Sequence, residues 1–251
     1  MKMSHKEDDR FYDLLFEVSN DIRHNILLLL HQKPERMTNI AKMLDLTSPE
    51  VSRHLSRLSD TRLIEKDSDN FYHVTSFGEY MLNSLSDLEF STKYMDYFLK
   101  HSAVNIPIKF QKRMSEISNY RLEDNFMEFL RFITEKIQEA EEYVWLYIDQ
   151  YPVLASKAIN ESIERGVQYR IIEQGNISKL NRVFDNKYLI VLGDEVPRVE
   201  VKTFDKRDIY LFISDKGSAI SFPTREGFDY TGFLYEGDYS AWIAELFEHY
   251  W

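Results

Sequence analysis

Ser52, Arg53, Ser56 and Arg57 carry the clearest chemistry in this sequence. They stand one, three and four residues apart, so a helix through them places all four on one face. A guanidinium on that face can bond both acceptors of a guanine edge, and a serine hydroxyl can bond a base or a phosphate. Ser48 and Pro49 begin the same face, and His54 stands at its edge. Val51, Leu55 and Leu58 recur at i, i+4 and i+7 and form the opposite, buried side. The competing reading is an ordinary solvated helix face.

The elements around this face decide between the two readings. Upstream, a helix starting near Thr38 as N-cap buries Ile40, Ala41 and Leu44, and Leu46 fills the turn that follows. Either Thr47 or Ser48 caps the next helix. Thr47 with Glu50 has capping-box spacing, whereas Ser48 would put Pro49 at the first helical position. Downstream, residues 63–66 and 71–74 read as short strands around the turn Asp67-Ser68-Asp69-Asn70. Two helices, a tight turn and a hairpin in this order predict a winged helix-turn-helix, whose third helix enters the DNA major groove. Lys66 and His73 are further contact candidates, although His73 could equally face solvent, and two aspartates at the wing tip would repel phosphate. Before these elements, residues 8–31 carry an apolar stripe at helical spacing. Ser19-Asn20-Asp21 breaks that helix, with Ser19 expected to cap the second piece, and Lys33-Pro34 ends it.

Charge limits how such a module could work. The net charge is −11; residues 1–90 hold 11 basic and 16 acidic side chains, and the remainder holds 20 and 26. Neither part is basic, so DNA affinity must come from a local patch, doubled in a homodimer, and must fall steeply with salt. The 251 residues are 43% hydrophobic and 14% aromatic, enough for a sizeable core in one large or two ordinary domains. There is no cysteine, which excludes disulfides and thiolate metal sites. The charged N-terminus and short apolar runs fit a cytoplasmic protein.

Thr75 is expected to cap a further helix, with Gly78 allowing it close to the wing. Met81, Leu85, Leu88, Tyr94, Met95 and Phe98 then form an apolar stripe suited either to dimerisation or to packing on the rest of the chain. Pro107 breaks the helix, and residues 108–117 are amphipathic with Lys109, Lys112 and Arg113 outward. From Asn125 an amphipathic helix leads to a strand at 143–148, a helix ending at Arg165-Gly166 and a strand at 167–172. Such a βαβ unit pairs its strands in parallel. A short helix at 177–184 follows, then strands at 188–192, 198–204, 209–214 and 219–222, with a hairpin turn at Asp215-Lys216-Gly217, and an aromatic helix at 239–251. The expected fold class is α+β: a winged helix-turn-helix domain over 1–88, a helical linker or dimerisation segment over 89–124, and an α/β domain with a mixed sheet over 125–251.

Ligands of parallel sheets gather beyond the carboxyl ends of strands. Tyr147 and Asp149 stand there after the first strand and Glu173 after the second, while Trp145 and Arg170 lie within the strands. Arg198 could attract an anion. Trp145 and Tyr147 read equally as core, and Asp149 and Glu173 as solvated loop charges. No phosphate-binding glycine loop, dinucleotide glycine pattern or zinc-binding helix motif is present, and there are only 8 glycines. No cofactor and no metal are expected.

SNDIRHNILLLL, TNIAKMLDLTSPEVSRHLSRLSDTRLIEK and FYHVTSFGEYM, in order, resemble the arsenical-resistance-repressor type of winged helix over residues 10–85. That family often senses metals through cysteines or His/Asp clusters; with no cysteine and no His/Asp pairing at ligand spacing, metal sensing does not carry over. HSAVNIPIKFQKRMSEI, ESIERGVQYRII, DIYLFISDKGSAISFP and AWIAELFEHYW resemble the C-terminal region of archaeal regulators of the methanogenesis-regulator type, over residues 90–251. The strand order and RGVQYRII also resemble half of a phospholipase D-like fold, as in the sugar-sensing TrmB regulators. That enzyme family uses His-x-Lys-x4-Asp. His31-Gln32-Lys33 begins the pattern, but Thr38 holds the Asp position, and no histidine occurs between residues 109 and 239. The resemblances imply a non-enzymatic, homodimeric transcription regulator that binds double-stranded operator DNA and answers to a small ligand or partner at its C-terminal domain. The alternative is a protein-interaction module whose winged domain contacts a protein instead of DNA.

Overall fold

The computed structural model describes residues 5–150, 153–174, 198–205 and 208–251. The chain divides into two compact units, Met1–Leu88 and Glu89–Trp251. The first holds helices α1 (His5–Val18), α2 (Asp21–Gln32), α3 (Met37–Met43) and α4 (Ser48–Asp60), strands β1 (Glu35–Arg36), β2 (Ile64–Lys66) and β3 (Phe71–Val74), and the start of α5 (Ser76–Lys93). The strands form an antiparallel sheet ordered β1-β3-β2, in which Ile64 pairs with Val74 and Arg36 with Phe71. Ile26, Ile40, Val51, Leu55, Leu58 and Leu63 make its core. This is a winged helix-turn-helix.

Two caps differ from expectation. Asn20, not Ser19, caps α2, because its side-chain oxygen accepts from the Arg23 N–H. Helix α3 begins at Met37 without a side-chain cap, because Glu35 and Arg36 are drawn into the sheet beside β3, leaving Thr38 inside the first turn. Thr75 does hold the start of α5, its hydroxyl accepting from Gly78 N–H at 3.0 Å. Gly78 is required for close approach: a Cβ there would lie 2.1 Å from the Leu63 carbonyl oxygen and 2.6 Å from Val74 Cγ1. Gly78→Ala should therefore destabilise this unit by about 1–3 kcal/mol. A urea midpoint unchanged by the substitution would show that α5 is free to shift from the wing.

The second unit is built on a seven-stranded mixed sheet ordered β4-β10-β9-β8-β5-β6-β7. Its strands are β4 (Arg121–Glu123), β5 (Tyr143–Ile148), β6 (Gln168–Gln174), β7 (Val199–Phe204), β8 (Tyr210–Ser214), β9 (Gly217–Ser221) and β10 (Gly232–Glu236). Strands β5, β6 and β7 are parallel, and the rest pair antiparallel. Helix α9 (Ser156–Arg165) crosses from β5 to β6 and ends at Gly166, whose φ of 105° is the left-handed conformation that glycine adopts at no steric cost. The helix at 177–184 and the strand at 188–192 lie outside the described residues.

Strand alternation sorts the core into two faces. Val144, Leu146, Ile148, Tyr169 and Ile171 pack with α8 (Phe126–Glu139) and α9. Tyr147, Ile172, Leu211 and Ile213 pack with the C-terminal helix α10 (Ala241–Tyr250) and with residues 90–120. The segment 89–124, expected as a linker, is therefore a structural part of this unit. It contains α6 (Met95–Phe98), α7 (Ile108–Gln111) and a 3-10 turn at Met114–Ile117, so the expected amphipathic 108–117 is two short pieces. Phe90, Tyr97, Phe110, Ile117 and Tyr120 are buried in its core. The apolar stripe is divided for the same reason. Met81 and Leu85 pack on the first core and Tyr94 and Phe98 on the second, while Leu88 and Met95 stay exposed.

Candidate nucleic-acid interface

Helix α4 starts at an N-terminal cap on Thr47. The Glu50 carboxylate accepts from the Thr47 N–H at 2.9 Å and from its hydroxyl at 2.6 Å. These two bonds hold the Glu50 carboxyl below the usual carboxylate range. They also bind the turn to the first helical turn, so the outward face is presented in one orientation. Val51, Leu55 and Leu58 are fully buried beneath it.

Ser48, Pro49, Ser52, Arg53 and Ser56 are brought together on the exposed face. His54 is not among them: it is 6% exposed, and its Nδ1 has no hydrogen-bond partner among the described residues. The helical angle of His54 falls on the core side, where burial, with Arg53, Arg23 and Arg57 nearby, pushes the imidazole below its usual value. A ring buried this far is turned away from a phosphate, so His54 is withdrawn from the interface.

Arg57 is half-buried and already engaged. Its guanidinium makes a two-pronged contact with Glu17, at 2.7 Å from Nη2 to Oε1 and 3.0 Å from Nε to Oε2, and lies 5.2 Å from the centre of the Phe16 ring. The Glu17 hydrogen bonds raise the Arg57 pKa. The same Glu17 faces Arg23 Nε at 2.8 Å, and both of these side chains are buried. Arg23 also donates to the Phe16 and Glu17 carbonyls at 2.8 Å, which ties the α1–α2 corner together. Arg57 thus fastens the end of α4 to α1, and Arg53 is the cation of the face that no described group restrains. The Glu17 link was invisible in sequence because 40 residues separate the partners.

The wing differs in detail from its sequence reading. Asp67 is not a free negative charge: its carboxylate accepts from the Asp69 and Phe71 N–H groups at 2.9 and 2.8 Å, and lies 2.7 Å from His73 Nε2. The His73 contact, followed by these backbone bonds, lowers the Asp67 pKa. His73 is accordingly occupied within the wing, whereas Lys66 is exposed, its Nζ 5.7 Å from the Tyr72 ring centre. Asn70 takes the left-handed conformation, φ 66°, that closes the hairpin. Arg36 was missed. It reaches over Phe71 at 4.7 Å from the ring centre and is exposed beside the wing; a two-residue strand leaves too little pattern to find it.

In the second unit the six ligand candidates do not converge. Trp145 stacks on Phe247 at 5.2 Å between ring centres. Arg170 lies 5.4 and 5.0 Å from the Trp145 and Trp251 rings and bonds Glu248 at 2.6 Å. Tyr147 is 2% exposed, packed near Tyr250, and its burial pushes the phenol pKa well up. These three share the α10 face. Glu173 is buried and follows Tyr169 and Ile171 onto the opposite face by strand alternation. Asp149 accepts from the Tyr230 hydroxyl at 2.7 Å. Arg198 precedes β7, at the amino end of the parallel strands. These side chains are thus divided between two faces and two ends of the sheet, and the described residues do not bring the six together.

Residues 20–66 match the family model described as bacterial regulatory protein, arsR family. Over 75 residues the chain is 42% identical to an uncharacterized HTH-type transcriptional regulator of Methanocaldococcus jannaschii, in a match spanning 27% of this chain and 79% of that one. Among solved structures, TrmBL2, an archaeal chromatin protein, is similar over 98% of each chain at 18% identity, with a TM-score of 0.43. HlyU from Vibrio cholerae is similar over 34% of this chain and 97% of its own, at 24% identity and a TM-score of 0.30. The chain belongs to the HTH-type transcriptional regulators, with an arsR-family helix-turn-helix at its N-terminus.

Proposed function

We propose that this regulator binds operator DNA as a homodimer, reading the major groove with α4, and that the second unit adjusts the affinity in response to a small ligand or partner. The observation that carries the reading is the face of Ser48, Pro49, Ser52, Arg53 and Ser56, exposed above a fully buried Val51, Leu55 and Leu58 and fastened at both ends, by Glu50 and by Glu17. Lys66 and Arg36 supply phosphate contacts from the wing side. Arg57 serves the face from behind, as its anchor. A dimer supports the reading because two half-sites a helical turn apart double a small positive patch on an acidic chain.

Exposed apolar side chains on α1 suit a dimer contact: Phe11, Tyr12 and Phe16 are all more than half exposed. The second unit acts as a sensor and not as a catalyst in this reading, since its βαβ order comes without a histidine nucleophile between residues 109 and 239.

The expected result is DNA binding whose log affinity falls linearly with log salt, with a slope set by the few phosphates that Arg53, Lys66 and Arg36 meet in each subunit, about −0.9 per phosphate. Fluorescence anisotropy with a labelled duplex measures this. A winged unit that binds a protein partner would show no duplex affinity at low salt, and that result would favour the interaction-module alternative.

A further inference from the structure

The second unit contains a cavity of about 510 Å³ beside the loop that follows β9. One wall is the chain just after α6, with Lys100 and Ser102; the other is the loop after β9, with Thr224 and Arg225; Phe98 and Met114 supply an apolar side. Its volume is in the range that holds a small-molecule ligand.

Charge is the telling feature. The protein has 42 acidic residues, yet among the described residues no carboxylate lines this cavity. Several other cations of this unit are paired with carboxylates. Arg113 pairs with Glu116 and Glu245, Arg121 with Glu123, Arg170 with Glu248, and Lys216 with Glu141 and Asp215. Lys100 and Arg225 are exposed and have no ion-pair partner among the described residues. Two cations facing one cavity, without an ion-pair partner among the described residues, raise its local potential.

The walls are also held in place before any ligand arrives. Ser102 N–H donates to the Pro223 carbonyl at 2.8 Å, joining the two walls. Gln111 Nε2 donates to the Val104 and Ile106 carbonyls at 3.1 and 2.7 Å, which supports the loop carrying Ser102. Thr224 closes a tight turn, with N–H and hydroxyl both donating to the Gly227 carbonyl at 2.8 Å. His101, buried in this wall, has its Nε2 3.0 Å from Asp229. A preformed site loses less ordering entropy on binding.

We infer that this cavity binds a small organic phosphate monoester, its dianion held by Lys100 and Arg225 with the Ser102 hydroxyl beside them, and its organic part against Phe98 and Met114. Two cations match a dianion in charge, and a guanidinium can bond two phosphate oxygens at once. In its regulatory role, though not in its binding, the site rests on the sensor reading proposed above.

The test uses the full-length protein and phenyl phosphate, with phenol as the uncharged comparison. Calorimetry should show phenyl phosphate binding and phenol not binding. The Lys100→Ala, Arg225→Ala double variant should bind at least about tenfold more weakly, the loss expected for charge-assisted bonds. Both side chains are exposed, so the variant should keep its circular dichroism and melting temperature. Lys157→Ala, which removes an exposed cation on α9, should bind like wild type. Equal binding by wild type and the double variant, or no binding by wild type, would overturn the site. Binding at the cavity that leaves DNA affinity unchanged at saturation would uphold the site and count against the sensor reading alone.

Discussion

Replacing Glu17 with alanine is expected to destabilise the first unit by about 3–5 kcal/mol, the range for removing one partner of a buried ion pair. Glu17 and Arg23 are 7% and 4% exposed, and Arg23 Nε lies 2.8 Å from the carboxylate. Without Glu17, the Arg23 charge stays inside with only backbone carbonyls to meet it. Burial already lowers the Arg23 pKa, so the site pays for each contact removed. Arg57→Ala removes the other partner of Glu17, but nearly half of that side chain faces water, and its loss should cost far less. The order is the diagnostic point. If chemical denaturation ranks Arg57→Ala as the more damaging change, the network is centred on α4 and not on the α1–α2 corner.

Trp242→Ala should cost about 3–5 kcal/mol in the second unit. The indole is fully buried, lies edge-on to Phe110 at 6.0 Å between ring centres, and donates from Nε1 to the Phe110 carbonyl at 3.1 Å. Truncation leaves a cavity and an orphaned acceptor together. Because Phe110 belongs to α7, the damage should spread to residues 106–117, where amide exchange should quicken before exchange in the β5–β6 pair does. Unaltered exchange over 106–117 would mean that this segment is held by contacts other than α10.

The fold was legible where one short window held the whole signal. The buried stripe of α4, its Thr47–Glu50 cap, the hairpin around Asp67–Asn70 and the Gly166 helix end all depend on neighbours within a turn or two, and the structure has each of them. Besides the two-residue β1, two strands were missed because their pairing is long-range. β4 has three residues, two of them charged, and β10 begins at Gly232, where a Cβ would fall 2.2 Å from the Ile220 carbonyl oxygen. Close backbone approach of that kind has no periodicity to read.

The candidate interface was half legible for the same reason. Exposure of Ser52, Arg53 and Ser56 follows from helical geometry alone, whereas the burial of His54 and the capture of Arg57 depend on where α1 and α2 lie. The ligand candidates are divided between two faces because strand-end position says nothing about which face a side chain takes. Trp145 and Arg170 pair in register and stack on one face, while Glu173 sits three residues on and turns to the other.

The central claim is that α4 reads DNA through its exposed face, and Arg53 tests it most directly. A preferred duplex is selected from a random pool, and affinities for it and for an unrelated duplex are measured with wild type and Arg53→Ala at one salt concentration. The account predicts a loss of about 1–3 kcal/mol on the selected duplex, the range for a bidentate base contact, and a much smaller loss on the unrelated one. Equal affinity of the two proteins for the selected duplex would contradict it.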